Sequence, residues 1–179
     1  AKDALHAVPL MARIRVVGLG PAGADYLSAR TASLITSSPL VRWRTRQHPA
    51  ATDFSDIVSY DDVYDGAATF DEVYDGIVAD LVALAHAHEE IIYVVPGSPL
   101  VAEETVVRLR AHDVEVVCEP AVSVIDIALA RLDVDPMAVG LRVVDALSGF
   151  DTMRGPGPLL ILQVYSPEIL AQLGDRLPL

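Results

Sequence analysis

Apolar residues along this chain fall into two alternating patterns: short continuous runs, and longer segments with apolar positions three and four apart. The first pattern marks buried strands and the second amphipathic helices. Residues 14–18 form a run that stops at Gly18, and Leu27, Leu34 and Ile35 then carry a helical spacing as far as Ser37, Ser38 and Pro39. Residues 40–43 read as a second strand, followed by the polar, basic stretch 44–49 and by an acidic, tyrosine-bearing loop over 51–68 with one short helix. The clearest element comes next. Thr69 is a good N-cap, Glu72 completes a capping box, and Phe70, Val73, Ile77, Leu81 and Leu84 fall on one helical face. Residues 91–95 make a buried strand ended by Pro96 and Gly97. Ser98 then caps a helix with Pro99 at its first position and Glu103 and Glu104 in its early turns, where the helix dipole favours acids. A strand over 114–118 precedes a second capping box, Ser123 with Asp126, which opens a helix carrying Val124, Ala128, Leu129 and Leu132. Strands over 141–144 and 159–164 and a last helix from Pro167 complete the pattern.

Such alternation predicts an α/β fold with a mainly parallel sheet covered on both faces. Pro120 marks a boundary. Residues 1–12 read as a tag or N-terminal extension, 13–119 as an N-terminal α/β lobe, and 120–179 as a smaller C-terminal lobe that looks truncated, because further strands are expected there. Composition changes this picture little: hydrophobic residues are 52% and charged residues 21%, as in folded domains. The runs 91–95 and 159–162 are too short to cross a bilayer, and no basic start with an apolar core marks a signal peptide, so no membrane partner is expected. A net charge of −12 repels phosphate backbones and argues against nucleic acid, while suiting a cationic or zwitterionic small ligand. Cys118 is the only cysteine. It excludes a disulfide framework, points to a cytoplasmic protein, and reads as a buried, inert thiol in its strand.

Chemistry concentrates at two turns. Gly18-Leu19-Gly20-Pro21-Ala22-Gly23 joins a strand to a helix and matches the G-x-G-x-x-G of dinucleotide sites. Against NAD, the second strand leads to Arg44 and Arg46 where an acid should bind ribose, and Pro21 lacks the amide that would cradle a pyrophosphate. Arginines suit a 2′-phosphate, so an NADP-binding Rossmann protein stays open, as does a tight turn with no ligand. The second turn, Pro96-Gly97-Ser98-Pro99, also leads from a strand to a predicted helix. Ligands of open α/β sheets sit at the carboxyl ends of strands, so both turns can face one crevice. Arg44, Arg46 and His48, basic residues in an acidic protein, point there to an anionic group on a substrate. The bland readings are helix capping for Ser98 and Ser123, ordinary core for Tyr165, and a solvated loop for the basic residues.

These turns resemble class III, tetrapyrrole-methylase-type methyltransferases. Residues 18–23 are similar to the family's GxGPG loop, 96–99 to its PGDP turn, and 119–123 to its PGxS/T segment. The runs 44–49, 60–64, 70–74 and 163–166 resemble one branch, the YabN-like methylase domain fused ahead of MazG-type nucleotide pyrophosphohydrolases. The resemblance covers residue 13 to the end. It implies a two-lobe fold holding S-adenosylmethionine (SAM) as cofactor between the lobes, a small-molecule methyl acceptor, a homodimer, and a fused or partner MazG-type pyrophosphohydrolase. By position it implies SAM contacts from Pro21, Gly97, Ser98, Val101, Ser123, Val124 and Tyr165. Two departures stand out: Ser98 replaces the acid of PGDP, and Ala121 replaces a glycine. The loss of that acid favours a rival reading, a catalytically weak SAM-binding or dimerisation module.

Other chemistries have little to draw on. His86 and His88 point to different helix faces, His6 and His112 lack ligand-spaced partners, and no P-loop or G-x-S-x-G elbow is present, so no metal is expected. Residues 61–75 lack a calcium-loop pattern, and no convincing E-x-x-E cluster for pyrophosphohydrolase chemistry occurs. Methyl transfer needs no obligatory base; Tyr60, Tyr64 and His48 are candidates by position alone.

Overall fold

A computed structural model describes residues 11–147 and 153–176; the extension proposed for 1–12 lies almost wholly outside them. The chain divides into two compact units, the first ending at Val124 and the second starting at Ile125.

The first unit is built on four parallel strands, β1 (Arg13–Gly18), β2 (Val41–Trp43), β3 (Glu90–Val95) and β4 (Glu115–Cys118), in the order β2-β3-β1-β4. Register pairs Arg13 with both Glu90 and Glu115, and Gly18 with Val95, so β1 and β3 end together. Alternation along the strands sorts the core onto two faces. Ile14, Val16, Ile91, Tyr93 and Val95 meet Val73, Ile77, Leu81 and Ala85 of α3 (Phe70–His88) and Val106 and Leu109 of α4 (Glu104–Leu109). On the other face Val17, Leu19, Ile92, Val94 and Trp43 meet Ile35 of α1 (Ala29–Ser37) and the 3-10 helix Pro49–Asp53. The predicted parallel α/β sheet is therefore present. One part of its second face is polar: Arg13 bonds Glu115 at 2.7 Å, and Arg15 bonds Glu90 at 3.2 Å.

Local signals explain most boundaries. Ser28 caps α1 by accepting from the Thr31 N–H, so Leu27 stays outside the helix. Thr69 caps α3 at 3.2 Å, while the Glu72 carboxylate accepts from Ala68 N–H, one residue earlier than a reciprocal box requires. Val73, Ile77 and Leu81 form the buried stripe, but Phe70 is 68% exposed and stacks on Tyr74. The acidic loop holds one short helix, α2 (Asp61–Gly66). Ser98 does not open a helix. Residues 98–102 form turns, Ala102 has φ +54°, and α4 starts only at Glu104. This detour carries Glu103 inward to a buried partner.

Helix α5 (Val124–Leu132) begins directly after Ser123, with all but its first residue in the second unit, and α6 (Pro136–Val139) follows with Asp135 as its cap. Strands β5 (Arg142–Asp145) and β6 (Leu159–Leu162) pair in parallel, and α7 (Pro167–Arg176) follows. The second strand ends two residues before the expected 164, where Gln163 takes a positive φ of +62°. Ala146, Met153 and Leu173 centre the small core. Among the described residues no helix is long and apolar enough to cross a membrane.

Candidate functional site

The two glycine turns are joined by their backbones. Gly20 N–H donates to the Gly97 carbonyl at 3.1 Å, and Gly97 N–H donates back to the Gly20 carbonyl at 2.9 Å. Leu19 N–H bonds the Val95 carbonyl at 3.0 Å, extending the β1–β3 pairing into the turns. Gly18 makes the junction possible: a Cβ there would lie 2.2 Å from the Gly97 oxygen and 2.8 Å from both Ala121 and Pro99. That one position thus brings the first turn, the second turn and the segment after β4 together. Gly97 is different. Its φ of +67° favours glycine, yet a Cβ built on it would meet no protein atom within 4 Å. The space beside this turn is open.

Of the residues expected to contact SAM, Pro21, Gly97, Ser98, Val101 and Ser123 belong to the first unit, at or beyond the carboxyl ends of β1, β3 and β4. Ser98 and Ser123 are buried, 9% and 7% exposed. The Ser98 hydroxyl accepts from Leu100 N–H at 3.5 Å, and its carbonyl accepts from Val101 N–H at 3.1 Å. These are turn contacts, which replace the capping role. Val124, the last residue of the unit, is 48% exposed. Tyr165 follows β6 in the second unit and is 69% exposed, so it is no core residue there.

The basic stretch is already committed to the protein. Arg44 bonds the buried Glu103 carboxylate at 2.7 Å and the Tyr64 hydroxyl at 2.8 Å, and lies over the Tyr74 ring. Burial would lower the Arg44 pKa, but Glu103 and Tyr64 outweigh it and drive it up. Thr105 donates to the other Glu103 oxygen at 2.5 Å, and its Oγ1 lies 3.2 Å from the Tyr93 hydroxyl. Arg46 pairs with Asp61 at 3.1 Å. Burial alone would raise the Asp61 carboxyl, yet bonds from Arg46 N–H, Thr45, Ser59 and the Arg46 side chain hold it at about 2. Each arginine thus already faces a carboxylate, Arg44 half-buried and Arg46 with its side chain 59% exposed, so an anionic substrate group would share them with Glu103 and Asp61. His48 is likewise engaged, with Nε2 3.1 Å from the Gly20 carbonyl and Nδ1 accepting from Ala50 N–H at 3.2 Å. None of the three positional base candidates has an idle polar atom: Tyr60 donates to Asp80 at 2.7 Å, and Tyr64 accepts from Arg44.

Glu119, the first residue past β4, was not singled out by sequence. It bonds Arg15 and Arg30, each at 2.6 Å, which ties the third segment to β1 and α1. Arg30 first, and then Arg15, hold its carboxyl at about 2 against the opposing effect of burial. Only the β1–β4 register, Val16 beside Cys118, reveals that Glu119 and Arg15 adjoin. Cys118 is half-buried, and burial pushes its thiol up, as expected of an inert cysteine.

Residues 13–166 match the model of the Tetrapyrrole (Corrin/Porphyrin) Methylases. The chain belongs to this family. Tetrapyrrole methylases are SAM-dependent methyltransferases. The uncharacterized protein YabN of Bacillus subtilis (strain 168) is 33% identical over 180 residues, covering 93% of this chain. The chain spans 36% of YabN's length. The precorrin-6Y methylase CbiE of Archaeoglobus fulgidus is similar in structure, with TM-score 0.60, 26% identity, and coverage of 89% of this chain and 78% of CbiE. The uroporphyrin-III C-methyltransferase of Thermus thermophilus, complexed with S-adenosyl homocysteine, shares the fold with TM-score 0.57 at 22% identity, over 90% of this chain and 77% of its own.

Proposed function

We propose that this tetrapyrrole methylase binds SAM along the two joined turns and transfers its methyl group to a small-molecule acceptor. The observation that carries the reading is the Gly20–Gly97 pair. It fixes both turns side by side, with open space where a Gly97 side chain would stand. The chemistry of the site fits the cofactor. SAM offers an amino-acid zwitterion, a ribose diol and a flat base, which backbone amides, carbonyls and hydroxyls such as those of Ser98 and Ser123 can match. The buried acids nearby, Glu103 and Glu119, are already neutralised by arginines. When bound, SAM supplies a methyl group already activated by its sulfonium. The protein's part is to hold the acceptor in line and exclude water. Pro21, Val101, Val124 and Tyr165 are proposed as further cofactor contacts.

A tetrapyrrole acceptor is the family's association, and a cytoplasmic homodimer is the proposed state. A second reading has an observation of its own. Ser98 stands where the family's turn carries an acid, and the relative YabN is far longer than this chain. Both fit a SAM-binding module serving a MazG-type pyrophosphohydrolase. Calorimetry with SAM, S-adenosylhomocysteine, NAD and NADP side by side tests the cofactor. Micromolar-range binding of SAM or its product, with no NAD(P) response, is expected. Tight NADPH binding without a SAM response sinks the proposal, and methyl turnover with any acceptor separates the enzyme from the module.

A further inference from the structure

The stretch 44–49 has a task on the protein's own backbone. We infer that His48 is a positioning residue that clamps the cofactor turn by donating from Nε2 to the Gly20 carbonyl; this rests on the reading of that turn as the SAM site. The tautomer follows from the partners. Ala50 N–H can only donate, so Nδ1 must accept; the Gly20 carbonyl can only accept, so Nε2 must carry the proton. Burial lowers the His48 pKa from its ordinary value, against the raising effect of Gly20, and this favours the neutral ring that the geometry requires.

The clamp completes the fixation of the two peptide groups that meet at Gly20, the second of which joins it to Pro21. The Gly20 carbonyl accepts from Gly97 N–H at 2.9 Å and lies 3.1 Å from His48 Nε2, and the Gly20 N–H is spent on Gly97. A turn with φ +81° at Gly20 is thereby held from the second turn and from the segment after β2. Pro21, the next residue, takes its direction from the second of these peptides. His48 itself is held by the Pro49–Asp53 helix that it caps, whose Ala50 and Ala51 are buried. The chain from β2 through Arg44, His48 and Gly20 to Gly97 therefore forms one brace around the turn.

Two substitutions divide the ring's tasks. His48→Asn places an acceptor near Nδ1 and keeps the cap, but leaves the Gly20 carbonyl one donor short. His48→Gln reaches further and keeps a donor for that carbonyl. Binding of S-adenosylhomocysteine to the 179-residue chain is measured by calorimetry, with melting temperatures taken without ligand. His48→Asn is expected to melt near the parent and bind about fivefold more weakly, the worth of one hydrogen bond, while His48→Gln stays within about twofold. A long-range proton–nitrogen spectrum of the parent should show the proton on Nε2. Parent-like affinity in His48→Asn, a His48→Gln as weak as His48→Asn, or a proton on Nδ1 each overturns the clamp. A parent without affinity for SAM or its product refutes the cofactor reading instead, and the tautomer still decides whether the ring braces the turn.

Discussion

In the first unit Ile14, Val16, Val17 and the run from Ile91 to Val95 are at most 1% exposed. In the second, every residue of β5 and β6 is half-buried or exposed, and α5 buries none of its residues. The cause is strand count. A four-stranded parallel sheet has two central strands, β3 and β1, with helices on both faces, whereas a two-stranded sheet has only edges. The glycine turns thus stand on the rigid part of the molecule, where a displacement of the backbone disturbs a packed core. Leu132, Met137, Leu147 and Leu170 of the second unit remain exposed, Met137 by 89%. The comparison separates a unit that fixes geometry from one whose described apolar surface is largely uncovered.

The largest expected effect tests that contrast directly. Leu81→Ala removes a side chain that is 0% exposed between α3 and the sheet, and should destabilise the first unit by about 3 kcal/mol. Met137→Ala should change stability by less than about 0.5 kcal/mol. Far-ultraviolet circular dichroism follows both units during a urea titration, and Trp43, the only tryptophan and 2% exposed, reports the first. Similar shifts from the two substitutions would erase the distinction.

The polar edge of the first unit comes next. Glu119→Gln should cost about 2 kcal/mol at pH 7, because two arginines lose a shared carboxylate, one of them well exposed. The folded carboxyl titrates at about 2, below its ordinary 4.5, so its stabilisation is complete above pH 4.5 and fades as the pH falls towards 2. The difference in urea midpoint between parent and Glu119→Gln should shrink across that window. A difference that is flat with pH would remove Glu119 from the account of how the third segment is anchored.

The sequence reading succeeds where residue type and period act locally. Thr69 and the stripe Val73, Ile77, Leu81 are legible because a cap and a 3.6-residue spacing need no tertiary knowledge. The turns at Gly18 and Gly97 are legible because glycine marks both crowding and positive φ. It fails where distant partners compete with local propensity. Ser98-Pro99 followed by Glu103 and Glu104 has every mark of a helix start, but Glu103 turns inward to Arg44, 59 residues away in sequence, and the helix waits for Glu104. Arg44 and Arg46 look available until Glu103 and Asp61 are brought beside them. Charge is read easily from sequence; its neutralisation is a tertiary fact.

A smaller effect sharpens the glycine turn. Gly97→Val combines a barred backbone angle with a side chain in open space, so a loss of cofactor affinity from it is ambiguous. Gly97→Asn tolerates the left-handed region better and still fills the space. It should melt close to the parent and bind S-adenosylhomocysteine at least about tenfold more weakly, ~1.4 kcal/mol. Gly97→Val should lose both affinity and stability. Parent-like affinity in a folded Gly97→Asn would place the cofactor elsewhere, and the open space beside the turn would have no bearing on function.

The smallest expected effect concerns Ser98, whose role the structure has changed. A helix cap removed by Ser98→Ala would cost about 1 kcal/mol of stability. No helix begins at Ser98, and its hydroxyl makes one long turn contact at 3.5 Å to Leu100 N–H, so the stability cost should stay below about 0.5 kcal/mol. Its burial at 9% exposure, next to the open space at Gly97, gives the hydroxyl another use. If it replaces the family's acid as a cofactor contact, Ser98→Ala should weaken S-adenosylhomocysteine binding about threefold, the low end for a neutral hydrogen bond. Ser98→Asp, which restores the acid, then asks whether the site still accepts one. Tighter binding or new turnover would mean that serine is a weakened substitute. Weaker binding would mean that the turn has adapted to a neutral hydroxyl. An affinity untouched by either change, with stability falling by about 1 kcal/mol in Ser98→Ala, would return Ser98 to a purely structural part.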